Sequence, residues 1–279
     1  MIRLLLLLVG LALVAPVQAA ESYDNCTGVI TSLPATVNTQ GTWCLQSNVS
    51  TAITAGAAIT VATNNVTIDC NDFKVGGLAA GEGTDAVGIS AHNVLNLTVR
   101  RCGIRGFRDG IRLSGTASGA LIEHNRFDSN TVSSINVAGS NHQVLFNRII
   151  DTGGRPESTE TFGILAPASE SQITDNSIVG MTVTDINGHV TAIAATGNAS
   201  EISRNFVSGL VRAELGGSTG IETGAAVGSS IHRNQLLNGS DLIGHAINAG
   251  ADTQCGNNSH SNWDTGIVGC QDAGGNFGN

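Results

Sequence analysis

The chain has 279 residues, a formal net charge of −9 at pH 7, and only one lysine, Lys74. An acidic chain almost without lysine is a poor match for nucleic acid or for an anionic lipid surface, so we expect neither as a partner. Charged residues make up 13% of the sequence and aromatic residues 4%, while 36 residues are glycine. This composition indicates small side chains packed in close layers and argues against a helical bundle.

The first 19 residues are typical of a secretory signal peptide. Arg3 supplies a positive start, residues 4–14 form a short apolar run, and Val17 and Ala19 precede the expected cleavage site. As a helix this run would reach about 16 Å, which is short of a bilayer core of about 30 Å. We expect cleavage after Ala19 and a single secreted or periplasmic domain over residues 20–279. An uncleaved membrane anchor is the rival interpretation.

Six cysteines follow the leader, and an even number in an exported chain predicts disulfides. They are Cys26, Cys44, Cys70, Cys102, Cys255 and Cys270. Two lie near the start of the domain and two near its end, so pairing within each terminus would close both ends. The remaining two fall on neighbouring repeats, one position out of register. Many other connectivities are possible, and the sequence does not select among them.

A short motif recurs along most of the chain. An apolar residue and two further residues precede an asparagine, and a second apolar residue follows two positions later, as in "LIEHNRF" (121–127) and "EISRNFV" (201–207). The asparagine falls at Asn71, Asn125, Asn147, Asn176, Asn205, Asn234 and Asn257, and Cys102 takes its place in one repeat. Steps of 22 to 31 residues without helical periodicity predict a repeat architecture built from short strands.

A second motif, a small residue followed by isoleucine, comes after each asparagine, as in "DGIRL" (109–113) and "TGIET" (219–223). From this isoleucine to the next asparagine the chain always takes 10–14 residues. From the asparagine to the following isoleucine it takes 9–18 residues. One constant and one variable interval predict stacked coils of fixed cross-section, with loops that leave at one corner.

These two motifs resemble those of the right-handed parallel β-helix proteins of the pectate-lyase-like superfamily. The resemblance covers roughly residues 45–270 and implies an all-β, single-stranded right-handed parallel β-helix of about eight coils. In such a fold Phe73, Phe127, Ile149, Ile178, Val207 and Leu236 share one inward column, and the asparagines stack as a hydrogen-bonded ladder in a tight turn. A leucine-rich repeat is the weaker alternative, because it wants an apolar residue five positions before the asparagine, and four repeats here have His142, Ser171, Ser200 and Ser229 there.

The resemblance implies that the loops after each asparagine wall a substrate cleft and that the Gly-Ile strands form its floor. Alternation predicts outward floor positions at Gly110 and Arg112, and at Ser134 and Asn136 in the next coil. Two coils with short loops lie between coils with long loops, so we expect a groove near Arg112 and Asn136. The aspartate sets of the superfamily's hydrolases and lyases are absent from this floor, which argues against carrying over either activity.

Five arginines fall within residues 100–112 of an otherwise acidic chain. We predict that the groove binds a polysaccharide carrying carboxylates, since a guanidinium matches a carboxylate through two parallel hydrogen bonds. The predicted substrate-binding residues are Arg105, Arg108, Arg112, Asn136 and Arg155, and the predicted general acids or bases are Asp109, Glu157 and Glu160. No cofactor is expected.

Two other interpretations remain open. The arginines can decorate a stiff, non-catalytic cell-envelope or adhesion-type scaffold whose long loops bind a partner. A weaker hypothesis is that His189, Glu214 and His245, on three successive long loops, approach one another and hold a metal. The sequence fixes neither the glycan nor the oligomeric state.

Overall fold

A computed structural model describes residues 25–239 and 243–278. The proposed leader and its cleavage site at Ala19 lie outside the described residues. The described chain winds through three sheets in turn, and all strand pairs in them are parallel. It contains no α-helix in these ranges, and a short 3-10 turn lies at Leu78–Ala80. The all-β parallel β-helix prediction is confirmed, with about nine turns in place of eight.

The floor sheet contains the Gly-Ile motifs. Its ten strands are Ala35–Val37, Ala57–Val61, Val87–His92, Asp109–Ser114, Ser133–Val137, Glu160–Leu165, His189–Ala194, Ser218–Glu222, Gly244–Asn248 and Thr265–Val268.

The pre-Asn sheet lies next along each coil and ends at the asparagine turn. Its eleven strands are Gly28–Val29, Gly41–Cys44, Val66–Asp69, Thr98–Arg100, Leu121–Glu123, Gln143–Leu145, Gln172–Thr174, Glu201–Ser203, Ser230–His232, Gln254–Gly256 and Gln271–Asp272.

The post-Asn sheet completes the coil and leads through the variable loops back to the floor. Its ten strands are Val49–Ser50, Lys74–Gly76, Gly103–Arg105, Arg126–Asp128, Arg148–Ile150, Ser177–Thr182, Phe206–Val211, Gln235–Leu237, Ser259–Ser261 and Phe277–Gly278. We call its junction with the pre-Asn sheet the ladder corner, and its junction with the floor sheet the loop corner. The ladder corner therefore lies opposite the floor.

The asparagine ladder forms as predicted from Asn125 to Asn234, where its pattern repeats from coil to coil, but the side chain of the predicted first member, Asn71, bonds outside the ladder. Asn147 is 2% exposed, donates from Nδ2 to the Ile122 carbonyl at 2.8 Å, and accepts from both the backbone N–H and the side-chain amide of Asn125. Each asparagine thus satisfies backbone groups that the sharp turn would otherwise leave unpaired.

The ladder departs from the sequence-based register at its last coils. Asn234 donates to Asn258, and Asn258 in turn donates to Asn276. Asn257, the predicted ladder residue, instead occupies the preceding left-handed position with φ 56°. The prediction was wrong by one residue because two adjacent asparagines satisfy the spacing almost equally well.

The inward column of the post-Asn sheet is confirmed except at its first member. Ile104, Phe127 and Ile149 lie in register and are fully buried, and the column continues through Ile178, Val207 and Leu236. Val75, which pairs with Ile104, occupies the place predicted for Phe73. Each such side chain stabilises the fold by roughly 1.5–3 kcal/mol relative to an exposed one.

Three disulfides join all six cysteines. Cys26 pairs with Cys44 near the start of the domain and Cys255 with Cys270 near its end, while Cys70 and Cys102 link neighbouring coils. The two terminal disulfides considered from the sequence are therefore present, and the remaining two cysteines pair between neighbouring coils. Three disulfides are typical of proteins outside the reducing cytoplasm. None of the described residues belongs to a helix that is long and apolar enough to cross a membrane.

Candidate functional site

The floor sheet bends at its Gly-Ile motif, and this bend decides which side chains face the groove. A Cβ added to Gly110 would meet the buried Phe127 ring at 2.8 Å, and Ser134 is fully buried against Thr152. The prediction that Gly110 and Ser134 face outward was therefore wrong, because two consecutive residues of each strand turn toward the core. The outward position moves back by one residue, to Asp109 and Ser133.

Asp109 lies in register with Ser133, and its carboxylate is 1% exposed. One oxygen accepts a hydrogen bond from the Ser133 hydroxyl. The other accepts from Arg112 and, at 3.3 Å, from Arg108. A buried carboxylate with three donors is well satisfied, and it fixes the positions of two guanidinium groups that remain about one third exposed.

The predicted pairing of Arg112 with Asn136 across neighbouring coils is present. The two residues occupy one register position of the floor, between Ser90 and Leu165. A guanidinium and an amide therefore lie side by side on the outward face. Strand neighbours are about 4.8 Å apart, so one ligand can contact both.

The two long loops on either side of the short-loop coils touch each other. Arg155 donates to the Thr84 carbonyl at 2.6 Å and to the Asp85 carboxylate at 3.0 Å, although 70 residues separate Arg155 from Asp85. Arg108 approaches the same carboxylate, with 3.7 Å between Nε and Oδ1. The long loop after Asn147 thus reaches back over two coils to the long loop after Asn71. We call this contact at the loop corner the bridge.

A groove of about 290 Å³ lies beside this bridge. Its lining residues are Arg108, Asp109, Val132, Ser133, Asn136, Arg155, Ser158, Thr159, Glu160, Phe162 and Leu165. Five of the eight residues predicted for the site therefore line one groove. Arg112 adjoins it through its register with Asn136.

The two predicted glutamates differ in position. Glu160 is exposed, begins a floor strand and lines the groove. Within the described part of the chain it makes no ion pair. Glu157 lies on the preceding loop, exposed and with a left-handed φ of 60°. Its side chain is not part of the groove lining.

Arg105 does not join the groove. It lies on the post-Asn sheet, where its guanidinium is 3.7 Å from Asp128, and it lines a separate depression together with Lys74 and Leu78. Its side chain therefore contacts the post-Asn sheet and is not part of the groove lining.

Farther along the floor, His189 pairs in register with Glu160, and its Nε2 lies 2.9 Å from the Thr219 hydroxyl. Burial lowers the pKa of His189; the charges of Glu222 and Glu160 oppose this shift, and His245 adds to it. The imidazole is therefore neutral at pH 7. Glu214 is exposed on its loop. Residues 25–239 and 243–278 contain no group of three metal-ligating side chains suited to an ion, which argues against the metal hypothesis.

Two residues escaped the sequence analysis: Ser133, which lines the groove, and Asp85, which holds the loop contact beside it. Ser133 was detectable, because it precedes the Gly-Ile position of its coil by the same offset as Asp109. Asp85 was not, because its role depends on how a loop 70 residues later folds back.

No protein-family model matches this sequence, and no curated protein sequence matches it. Solved structures do share the fold. The chain superposes on the Dettilon tailspike protein with a TM-score of 0.54 and 15% identity, covering 89% of this chain and 56% of the tailspike chain. This chain thus spans little more than half of that protein.

Similar superpositions occur with DFA-IIIase from Arthrobacter chlorophenolicus A6. The complex with GF2 gives a TM-score of 0.50 at 13% identity, covering 83% of this chain and 82% of the enzyme. A mutant of the same enzyme in complex with DFA-III gives 0.50 at 12% identity, covering 90% and 74%. At these identities the likeness establishes the parallel β-helix fold alone.

Proposed function

We propose that this protein is exported and that its groove binds an extracellular polysaccharide carrying carboxylates. The observation that carries the proposal is the buried Asp109 carboxylate, which holds Arg108 and Arg112 at the edge of an open groove. A guanidinium that is already fixed loses little side-chain entropy when it binds a ligand.

The groove retains donors for such a ligand. A guanidinium has five N–H groups in a rigid fork, and the bonds to Asp109 and Asp85 use only part of that capacity. Asn136 adds an amide that pairs with sugar hydroxyls, and Arg155 carries a third guanidinium at the bridge. Carboxylates and hydroxyls on one polymer match this mixture.

We assign any bond-breaking step first to Glu160. Its carboxylate is exposed in the groove and is not engaged in an ion pair with any described residue, so a bound ligand can contact it directly. Glu157 is the second candidate, on the adjoining loop. Both oxygens of Asp109 already accept hydrogen bonds, an arrangement that favours positioning of the arginines over proton transfer.

Fold neighbours support a ligand site on this architecture in general terms. DFA-IIIase is an enzyme solved with GF2 and with DFA-III, so a parallel β-helix of this kind can carry a binding site. Export rests on the leader sequence and agrees with the three disulfides.

The test replaces Arg108 and Arg112 with lysine. This removes the two guanidinium groups but keeps a positive charge beside the buried Asp109 carboxylate. R108K/R112K should fold with a nearly unchanged Tm and should lose about tenfold in affinity for polygalacturonate or alginate fragments in calorimetry. The matched control R233K changes an exposed arginine outside the groove and should bind like the parent. E160Q should keep binding and abolish release of reducing ends or of unsaturated uronates. Parent protein that binds none of these glycans contradicts the proposal; binding without cleavage favours a non-catalytic role.

A further inference from the structure

A second concave surface lies on the ladder corner, opposite the floor and remote from the groove. It has a volume of about 800 Å³ and crosses four coils. The residues that matter for its chemistry are His124, Phe146, Arg126 and Arg148, with Arg100 at its edge. We call these five residues the ladder-corner surface. None of them has a part in the groove.

Two exposed rings form a flat platform on this surface. His124 and Phe146 stack with their ring centroids 5.1 Å apart and their planes 7° from parallel, and Phe146 is 50% exposed. Both residues occupy the turn position before the ladder asparagine, where φ is 53° and 54°.

The fold itself does not require rings at these positions. Left-handed backbone suits glycine or asparagine best, and Asn257 occupies the equivalent position in a later coil with φ 56°. A phenylalanine at positive φ is uncommon and here stays half exposed outside the core, so neither the backbone turn nor core packing explains it. Ligand contact does, because the exposed face of an aromatic ring packs against the apolar face of a sugar.

Two arginines flank the platform without acidic partners. Arg126 and Arg148 pair in register, so their backbones are about 4.8 Å apart. Both are exposed, and neither makes an ion pair with any residue that the structure describes. Two like charges at strand spacing repel each other, and an anion bound between them removes that repulsion.

The nearby carboxylates are fewer than the guanidiniums of this surface. Asp69 is buried and accepts hydrogen bonds from both Arg100 and Arg101. Burial alone would raise the pKa of Asp69, but the hydrogen bonds from Arg101 and the Asn71 backbone, with the charges of Arg101 and Arg100, outweigh it and lower the pKa. Glu123 lies on the pre-Asn sheet, in register with Arg100. Four guanidiniums thus meet three carboxylates here, namely the buried Asp69, the exposed Asp72 and the half-buried Glu123, so this surface carries a net positive charge in a protein of net charge −9.

We propose that the ladder-corner surface is a second, non-catalytic binding site for an acidic polysaccharide. A sugar ring packs on Phe146 and His124, while carboxylates pair with Arg126 and Arg148. The inference shares its ligand class with the proposed function, but it rests on a different face and different residues. A nucleic acid would also offer rings and anions, but the strongly negative net charge of the protein opposes it.

The test uses R126Q/R148Q and, separately, F146S, with sodium polygalacturonate and alginate fragments as probes in calorimetry. The matched control R204Q/R233Q removes two exposed arginines from the same corner in later coils. We expect R126Q/R148Q to lose about tenfold or more in affinity and F146S a smaller but measurable amount. The control should change less than about twofold, and all Tm values should stay close to that of the parent.

R126Q/R148Q is then combined with R108K/R112K, so that loss of binding at the ladder-corner surface can be distinguished from loss of binding in the groove. If the groove binds nothing, R108K/R112K alone leaves affinity unchanged while R126Q/R148Q still reduces it. The inference is overturned if R126Q/R148Q and F146S bind like the parent in both backgrounds, if the control loses as much, or if the surface retains single-stranded DNA in preference to the glycans.

Discussion

One pair of arginines at the loop corner and one pair at the ladder corner have opposite surroundings. Arg108 and Arg112 are held by the buried Asp109, and Arg108 with Arg155 also meets Asp85. Arg126 and Arg148 stand in register without such partners among the described residues. The loop corner thus offers arginines in fixed positions with little net charge, whereas the ladder corner offers net charge on a regular scaffold. A count of arginines along the sequence cannot separate these two cases.

The largest expected effect concerns the scaffold at the ladder corner. Asn147→Ala removes one buried donor and one acceptor of the ladder, so the Ile122 carbonyl loses its side-chain donor and the Asn125 N–H loses its acceptor. We expect a loss of about 3 kcal/mol in the free energy of unfolding, measured by urea denaturation. Asn141→Gly, at an exposed left-handed turn, is the control and should change it by less than about 0.5 kcal/mol. Equal losses would show that the ladder has no special role.

The loop corner should respond to the loss of its central carboxylate. Asp109→Ala leaves Arg108, Arg112 and Ser133 without their common acceptor, so we expect about 2 kcal/mol of destabilisation and weaker glycan binding in the groove. Binding of glycan at the ladder corner should not change. A variant with parent-like binding in the groove would refute the positioning role of Asp109.

A smaller effect follows from His142, which lies in the turn between the floor and pre-Asn sheets. It is fully buried; Nδ1 accepts from the Ala120 N–H, and Nε2 lies 3.2 Å from the Ala138 carbonyl. Burial lowers its pKa, against an opposing contribution from the hydrogen bond to Ala138. The unfolded chain therefore binds the proton more readily than the folded protein.

Stability contributed by His142 is complete above its unfolded pKa of about 6.5 and is lost as the pH falls from there toward the lower folded value. The Tm should decline over this window. His142→Asn keeps an acceptor for Ala120 but cannot titrate, so its Tm should decline less steeply. Identical slopes would rule out His142 as the titrating group.

The smallest expected effect is at an exposed ion pair of the ladder corner. Arg204 contacts Asp175 at 2.8 Å, but its side chain is 45% exposed. Arg204→Gln should cost less than about 0.5 kcal/mol in the free energy of unfolding, and the difference should vanish in high salt. A loss of more than about 1 kcal/mol would mean that ion pairs on this corner stabilise the coil.

Much of the coil was predictable because its repeats constrain one another. The Asn147 ladder and the buried Ile149 column follow from positions that return in every coil. The predicted register was wrong at Asn257, because the adjacent Asn258 fits the repeat spacing almost equally well. The predicted outward position was wrong at Gly110, because alternation of side chains assumes a straight strand and the backbone bends there.

The site was only partly predictable. Asp109, Arg108 and Asn136 share the groove because the floor register places them there. Arg155 reaches it through contacts with Thr84 and Asp85, which no local pattern encodes. Arg105 is only three residues before Arg108 in the sequence, but it lies on the post-Asn sheet and not in the groove. Closeness in sequence therefore gave the wrong grouping.

The most direct test of the proposed function is a crystal structure of the protein soaked with an oligogalacturonate. Our account predicts density for the sugar in the groove, with carboxylates at Arg108 and Arg112 and a sugar hydroxyl at Asn136, near Glu160. An empty groove at saturating ligand, in crystals whose lattice leaves it open, would contradict the central claim.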